Sequence, residues 1–251
     1  MPKRSCVLLG VKIACLSFHE AVAKCLAGGL ILAPSGPGLA EIDRDLQYKM
    51  ALDQANINLA DSGLAIFLLR ILGLGQPPRT SGLGFLQALL KEPELQKMNS
   101  SFWIMPNETS LRKNLAWLAE QGIRVTSNFC YLAPLYPRQG LISDPDLLSQ
   151  LEIKRPRFIF VCVGSGPQEK LGLWLKQNLS YSPAIICIGA AIGFLSGDQV
   201  KIPMWADRLC LGWLIRCLSN PTRFIPRYLK AFRLVYLAFR YRDKAPQINI
   251  F

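Results

Sequence analysis

Three polar side chains follow segments that predict β-strands, and they are the first candidates for a ligand site. Ser35, Asp61 and Gln168 each come shortly after a short apolar or β-branched run. Ligands bind at the carboxyl ends of strands in parallel sheets, so we expect these residues to meet with Ala33 and Gly193. Among the three polar side chains, only the Asp61 carboxylate can act as a general base. The alternative for Asp61 is a helix N-cap, because a helical run follows it.

Positive charge is the second chemical feature of the chain. The formal net charge of +12 implies an anionic partner, which is a nucleic acid, an acidic lipid surface or a phosphorylated substrate. Residues 201–244 contain ten basic residues against two acidic ones, so this segment alone contributes +8. Its basic residues are Lys201, Arg208, Arg216, Arg223, Arg227, Lys230, Arg233, Arg240, Arg242 and Lys244.

Aromatic residues alternate with the basic ones in this segment. They are Trp205, Trp213, Phe224, Tyr228, Phe232, Tyr236, Phe239 and Tyr241. This composition is typical of helices that lie on a membrane surface. The alternatives are basic helices packed on the domain, or a nucleic-acid-binding tail. No recognised nucleic-acid motif accompanies the charge, so we expect no nucleic-acid partner. Pro221 and Pro226 predict a division of the segment into at least two helices.

The elements that must position these residues alternate between strands and helices. A capping box, Ser17 with Glu20, begins a helix that runs through Leu26. Another helix is predicted over 110–120, and strands over 29–33, 57–60, 101–105, 122–126, 157–164 and 184–188. This order predicts an α/β fold with a Rossmann-like, mostly parallel sheet flanked by helices. We expect the α/β domain over residues 1–197 and a basic helical C-terminal appendage over 198–251.

Several classes of protein are disfavoured by the same sequence. The longest apolar stretch, 183–197, contains glycines and is shorter than the roughly 20 residues of a spanning helix, and no signal peptide is expected. The single histidine, His19, falls in a first helical turn, which argues against a zinc site. The strings Asp43-Arg44-Asp45, in a helical stretch, and Asp144-Pro145-Asp146, in a loop, are interpreted as solvated surface rather than metal ligands. Cys162 and Cys187 are expected to be buried, reduced thiols.

Four stretches, in order, carry a resemblance to a known family. They are Asn58 to Gly63 with Arg79 to Gly82; Val161 to Lys170, which ends Gly-Pro-Gln-Glu-Lys; Gly189 to Gly197; and Trp213 to Arg216 with Pro221, Arg223, Arg227 and Tyr228. In this pattern the chain resembles the WecG/TagA/CpsF glycosyltransferases, glycosyltransferase family 26. The opening segment, Leu9 to Ile13 with Ser17 to Ala21, is also similar to the start of that family.

The resemblance implies an inverting transfer of N-acetylmannosamine, or a similar sugar, from UDP to an undecaprenyl-diphosphate-linked acceptor. It implies that neither metal nor cofactor takes part, and that the enzyme works peripherally on the cytoplasmic face of the cell membrane. By the same resemblance Asp61 and Gln168 are the candidate catalytic residues, with Asp61 as the base and Gln168 holding donor or acceptor, and Glu169 is a candidate substrate-binding residue. Arginines bind the diphosphate bidentately where no metal does. The matching positions, with Ser35 as a further substrate-binding residue, are Arg79, Arg216, Arg223 and Arg227.

The chain also departs from the family pattern at five positions. Ala33 and Ser35 stand where Thr-x-Asn is usual, Gly84 and Gly193 stand where aspartates are usual, and Gly212 stands where a glutamate is usual. These departures leave a second hypothesis open, a catalytically silent homologue that binds a nucleotide sugar or lipid diphosphate. The sequence leaves the donor sugar, the acceptor and homo-oligomerisation open.

Overall fold

The computed structural model describes residues 5–189 and 191–248, and a six-stranded parallel β-sheet lies at its centre. The strands are β1 (Ser5–Leu8), β2 (Val11–Ala14), β3 (Gly29–Leu32), β4 (Ile57–Asn58), β5 (Ser101–Met105), β6 (Cys130–Leu132), β7 (Phe158–Val161) and β8 (Ala184–Cys187). The sheet order is β4-β3-β8-β7-β5-β6, while β1 and β2 form a separate antiparallel hairpin. The predicted α/β fold with a parallel sheet is confirmed.

Helices cover both faces of this sheet. They are α1 (Phe18–Leu26), α2 (Gly36–Leu39), α3 (Leu46–Gln54), α4 (Gly63–Ile71), α5 (Gly82–Leu89), α6 (Pro93–Gln96), α7 (Glu108–Glu120), α8 (Pro145–Lys154), α9 (Pro167–Asn178), α10 (Ala191–Ser196), α11 (Met204–Arg208), α12 (Gly212–Ser219), α13 (Pro221–Ala231) and α14 (Arg233–Tyr241). A 3₁₀ turn covers Ser127–Phe129. In the described part of the chain, no helix has the length and apolarity needed to cross a bilayer.

Burial on both faces explains why the central strands are almost continuously apolar. All residues of β5, β7 and β8 are buried. Trp103 of β5 stacks on Phe160 of β7, with ring centroids 3.9 Å apart and planes 4° apart. One core packs α3, α4, α8, α9, α14 and the hairpin against one face, and the other core packs α1, α5, α7 and α10 against the opposite face. Cys162 and Cys187 are buried, free thiols, as predicted.

The C-terminal helices are attached to this body by buried side chains and by an ion pair. Leu234 and Leu237 of α14 are fully buried in the core that contains the hairpin. The guanidinium of Arg233 donates to both carboxylate oxygens of Asp43, at 2.7 and 2.6 Å. Pro221 separates α12 from α13 as predicted, but Pro226 lies inside α13, and the second division falls at Phe232. The boundary between residues 197 and 198 stays a prediction.

One predicted strand is wrong. Residues 122–126 form a turn and loop, and the strand that pairs with β5 on the side away from β7 is β6. Gly122 has a positive φ of 78°, and the Asn99 side chain accepts the N–H of Thr126 at 3.0 Å. The backbone of this segment is therefore bonded to a loop side chain instead of to a neighbouring strand, which periodicity could not reveal.

The interpretation of both Asp-x-Asp strings as solvated surface is also wrong. Asp43 is 4% exposed and Asp144 is 6% exposed. Asp144 caps α8 by accepting from the Leu147 N–H at 3.0 Å, so Pro145 begins a helix rather than lying in a loop. Asp144 also accepts the hydroxyls of Tyr131 and Tyr136, at 2.9 and 2.6 Å. These carboxylates are buried because distant donors satisfy them.

Asp144→Ala should lower the free energy of unfolding by about 2–4 kcal/mol. The substitution removes an N-cap, worth about 1 kcal/mol, and two hydrogen bonds to one charged group, worth about 1.5–3 kcal/mol together because contributions within one network are not additive. Urea denaturation of both proteins measures the difference. Asp146→Ala is the matched control, since Asp146 is exposed in the same first turn and should cost less than about 1 kcal/mol. Equal losses in the two variants would contradict the assignment of Asp144.

Candidate active site

A cavity of about 1040 Å³ opens at the carboxyl ends of the strands. The segments that follow β3, β4, β5, β7 and β8 line it from the body, and α12 and α13 line it from the C-terminal side. The sheet order reverses here, since the chain passes from β3 outward to β4 and later returns to place β8 beside β3. Open α/β sheets bind ligands at such a switch point. The cavity therefore lies at the strand ends, where the sequence predicted a ligand site.

Asp61 lies at the floor of this cavity, three residues after β4. Its Oδ1 accepts the N–H of Gly82, the first residue of α5, at 2.9 Å. Burial raises the pKa of Asp61 above 3.8, with a further increase from Asp207, while the Gly82 N–H and Arg79 oppose the increase. The N-cap of α4 is Ser62, whose side chain accepts the Ala65 N–H, so the capping alternative for Asp61 is wrong.

Arg79 is held beside Asp61 by a residue that sequence reasoning missed. The Nε of Arg79 donates to the Asp61 carbonyl at 3.2 Å. The Arg79 guanidinium also donates to Asp207 Oδ1 at 2.9 Å and to the Asp207 carbonyl. The Ser81 hydroxyl donates to Asp207 Oδ2 at 2.6 Å. Asp207 belongs to α11, so one carboxylate joins the C-terminal helices to the loop between α4 and α5. The available signal was that Asp207 is one of two acids in a strongly basic segment.

Ser35, in the loop after β3, and Gln168, in the first turn of α9, line the same cavity. Ser35 caps α2 by accepting the Gly38 N–H, and its hydroxyl lies 3.2 Å from that of Ser165, a lining residue that sequence reasoning also missed. The Gln168 amide donates to Glu169 Oε1 at 3.0 Å. Its own oxygen, Oε1, is buried without a hydrogen-bond partner among the described residues. An acceptor in this state is available to a ligand hydroxyl or amide.

Glu169 is placed differently from its neighbour. It is fully buried behind the cavity wall, and its Oε2 accepts the Gly166 N–H at 2.7 Å, which caps α9. Burial raises the pKa of Glu169 to about 7, against the opposing hydrogen bonds from Gln168 and Gly166. Its role toward a substrate stays a prediction, while the structure assigns it the capping contact.

Arg216, Arg223 and Arg227 extend into the cavity from α12 and α13. Within residues 5–189 and 191–248, none of the three pairs with a carboxylate. The Arg216 guanidinium lies 4.2 Å from the ring centroid of Phe194, and its Nε is buried without a partner. Burial lowers the pKa of Arg227, and the neighbouring charge of Arg216 lowers it further. Three cations that line one cavity are able to bind a highly charged anion such as a diphosphate.

The same geometry places two of the departures from the family pattern, Gly84 and Gly193, relative to the cavity. Gly84 does not line the cavity; a Cβ there would lie 2.6 Å from the ring of Phe18. Gly193 stands where the family usually has an aspartate, and the carboxylate nearby belongs to Asp198 instead. Asp198 Oδ2 lies 3.6 Å from the position that a Cβ on Gly193 would occupy. Asp198 lines the cavity and accepts the Ser110 hydroxyl at 2.7 Å. Over the described residues, no three His, Cys, Asp or Glu side chains converge as a metal site.

The glycosyl transferase WecG/TagA/CpsF family model matches residues 6–247, and the chain belongs to this family. A protein of Bacillus spizizenii (strain W23), named N-acetylglucosaminyldiphosphoundecaprenol N-acetyl-beta-D-mannosaminyltransferase, is 21% identical over 210 residues, which is 81% of this chain and 78% of the relative. A protein of the same name from Bacillus subtilis (strain 168) is 30% identical over 95 residues, 36% of this chain and 37% of the relative. The resemblance found in the sequence is confirmed.

The Arg79–Asp207 contact should be measurable as a coupling free energy. In a double-mutant cycle of Arg79→Ala and Asp207→Ala, we expect about 1–3 kcal/mol, because the two side chains are mostly buried and bonded directly. Urea denaturation of the four proteins gives the value. The same cycle on Glu41 and Arg44, an exposed pair at 3.7 Å, should give about 0.5 kcal/mol or less. Similar couplings in the two cycles would show that Asp207 does not anchor Arg79.

Proposed function

We propose that this protein is an inverting, metal-independent glycosyltransferase. The donor is a UDP-linked sugar similar to N-acetylmannosamine, and the acceptor is a polyprenyl-diphosphate-linked sugar of cell-surface polysaccharide or teichoic-acid-type synthesis. The observation that carries the proposal is the juxtaposition of Asp61 with Arg216, Arg223 and Arg227 in one cavity. The names of the two Bacillus relatives support the choice of donor sugar and acceptor.

In this mechanism the Asp61 carboxylate takes the proton of the acceptor hydroxyl. The hydroxyl oxygen then attacks the anomeric carbon from the face opposite the diphosphate, and the bond from that carbon to the leaving oxygen breaks. A single displacement inverts the configuration, so an α-linked donor gives a β-linked product. The pKa of a buried carboxylate is raised, which makes Asp61 a stronger base than an exposed aspartate.

The leaving diphosphate gains negative charge as the bond breaks, and arginines stabilise that charge. Arg216, Arg223 and Arg227 carry donors that no described carboxylate neutralises. Positive charge that is already oriented and partly desolvated stabilises the transition state without reorganisation of the site. The oxygen Oε1 of Gln168 accepts a hydrogen bond from a substrate hydroxyl or amide, which positions the sugar.

The silent homologue is the second candidate, and one observation favours it. The Arg79 guanidinium is bonded to Asp207 and Asp61 instead of facing the cavity freely. In an active enzyme, Arg79 then positions the Asp61 loop rather than binding diphosphate. A protein without turnover would keep the same contacts and would bind the same anion. Turnover of any lipid-diphosphate acceptor separates the two hypotheses.

We further propose that the C-terminal helices dock on the cytoplasmic leaflet of the cell membrane. Exposed apolar side chains of this surface are Trp205, Leu218, Ile225, Leu229, Tyr236 and Phe239. Basic side chains that are also exposed, among them Lys230 and Arg240, lie between them. Apolar groups at the headgroup boundary and cations toward anionic lipid together give reversible peripheral binding.

Asp61→Asn should lower kcat by roughly 10²–10⁴-fold, because an amide cannot take the proton. Donor affinity, measured by calorimetry, should be unchanged. In the wild-type protein kcat/KM should fall as the pH decreases through the pKa of Asp61, above 3.8, since the base must be ionised. Asp53→Asn, at an exposed carboxylate on α3, is the matched control and should keep the full rate. An Asp61→Asn enzyme within about threefold of wild type would remove Asp61 from the role of base.

Neutralising Lys230 and Arg240 to glutamine should weaken binding to phosphatidylglycerol vesicles by roughly 30-fold. Each basic residue near an anionic leaflet contributes about 1 kcal/mol, and the effect should be larger at low salt, where screening is weaker. Vesicle co-sedimentation of the full chain measures it. The control is Lys91→Gln with Arg124→Gln, two exposed cations outside the C-terminal segment. A full-length protein that ignores anionic vesicles would contradict the docking proposal.

A further inference from the structure

The exposed apolar side chains divide into two groups by their relation to the cavity. Phe67 of α4, Leu209 after α11, Trp213 of α12 and Phe232 after α13 are 49–67% exposed, and all four line the cavity. Other side chains of similar exposure do not line it, and they are Ile71, Trp205, Leu218, Leu229, Tyr236 and Phe239. A surface that only docked on a membrane would not require the first group to converge on the active site. We call the first group the apolar mouth.

The apolar mouth is continuous with the arginines along one face of α13. Arg223, Phe224, Arg227, Tyr228, Ala231 and Phe232 all line the cavity. The lining therefore changes from cationic to apolar toward the carboxyl end of the helix. At 1.5 Å per residue, the distance from residue 223 to residue 232 is about 13 Å. Tyr228 lies between the two ends, with its ring 6.1 Å from Trp213 and 6.5 Å from Phe224.

A ligand that fits this sequence of surfaces has a charged diphosphate at one end and a hydrocarbon at the other. Three cations without described carboxylate partners require an anion, and apolar side chains at the solvent boundary are stabilised by contact with carbon. We propose that the apolar mouth binds the first isoprenoid units of the lipid-diphosphate acceptor, next to the diphosphate. This inference rests on the proposed function and adds a protein site for the lipid chain itself, distinct from the membrane.

A nucleobase is the other flat or apolar group that an active site of this kind could accommodate. A base carries hydrogen-bonding groups along its edge and is bound with matching polar partners. In the apolar mouth, the side chains of Phe67, Leu209 and Phe232 offer none, and Trp213 offers a single indole N–H. Polar lining residues occur on another part of the wall, where Asn107, Ser110, Asp198 and Gln199 are found. The apolar mouth therefore fits a prenyl chain better than a base.

The experiment measures binding of two soluble diphosphates that differ in chain length, isopentenyl diphosphate and farnesyl diphosphate, to the full chain by calorimetry. No vesicle is present, the concentrations stay below micelle formation, and no turnover is required. We expect farnesyl diphosphate to bind at least about tenfold more tightly, because added methylene groups leave water. The variants Phe67→Ser and Phe232→Ser should reduce the ratio of the affinities for farnesyl and isopentenyl diphosphate to near one.

Matched controls are provided by the residues one turn further along the two helices. Ile71→Ser is four residues after Phe67 and Tyr236→Ser four after Phe232, with exposures of 54% and 59%, and neither side chain lines the cavity. Both controls should keep the wild-type ratio. Equal loss in the controls would assign the chain-length effect to the general apolar surface and overturn the inference.

Two further results would also overturn it. Equal affinity of the wild-type protein for both diphosphates would show that the mouth does not bind the chain. A loss of UDP affinity in Phe232→Ser, with the chain-length ratio intact, would assign the mouth to the nucleobase. These readouts are independent of catalysis, so a protein that binds farnesyl diphosphate preferentially but never transfers a sugar would refute the proposed function and support the inference.

Discussion

The carboxylate of Asp207 is the contact on which the geometry of the cavity depends. It accepts hydrogen bonds from Arg79 and from Ser81, and both donors belong to the loop that also positions Asp61. The other charged side chains that the C-terminal helices present to the cavity are the cations Arg216, Arg223 and Arg227, and cations repel one another in a partly desolvated space. A buried acid in α11 adds an attraction between these helices and the loop that precedes α5. Removal of one partner would leave the other buried and unpaired, which is more costly than the pair is favourable.

Repulsion among the cavity arginines opposes the attraction provided by Asp207. These arginines are Arg216, Arg223 and Arg227. Burial and the proximity of Arg216 lower the pKa of Arg227, so the fold concentrates charge at a free-energy cost. A bound anion would offset that cost, since guanidinium groups can bind phosphate oxygens bidentately. The Arg233–Asp43 pair and the buried leucines of α14 fix the far end of the segment independently of ligand. We therefore expect a diphosphate ligand to stabilise α12 and α13 more than α14.

Local patterns were sufficient for much of the fold and for the position of the site. The strands that are buried on both faces, β5, β7 and β8, appear in the sequence as continuous apolar runs. Since the carboxyl ends of parallel strands meet at one edge, Ser35, Asp61 and Gln168 had to share one cavity.

Long-range pairings account for what the sequence could not reveal. Asp43 and Asp144 were expected to be solvated, and both are buried because Arg233 and two tyrosines, far away or across a loop, donate to them. Asp207 was outside the predicted site for the same reason, since nothing local indicates a partner 128 positions earlier. Pro226 was predicted to divide the helices but lies inside α13, although proline has no N–H and the helix therefore lacks one hydrogen bond there.

Gly193, one of the departures from the family pattern, shows how neighbouring residues can supply a carboxylate that the glycine lacks. At Gly193 the absent side chain leaves space that Gln199 and Asp198 approach, to 3.3 and 3.6 Å from a Cβ position. The Asp198 carboxylate is fixed by Ser110 and lies 4.0 Å from Lys113 at its other oxygen. A carboxylate thus lines the cavity from the segment after α10 instead of from position 193 in the helix. Because hydrogen bonds form at distances of about 3 Å, we expect such a displacement to change which hydroxyl of a bound sugar or ribose is recognised, while negative charge is kept in this part of the cavity wall.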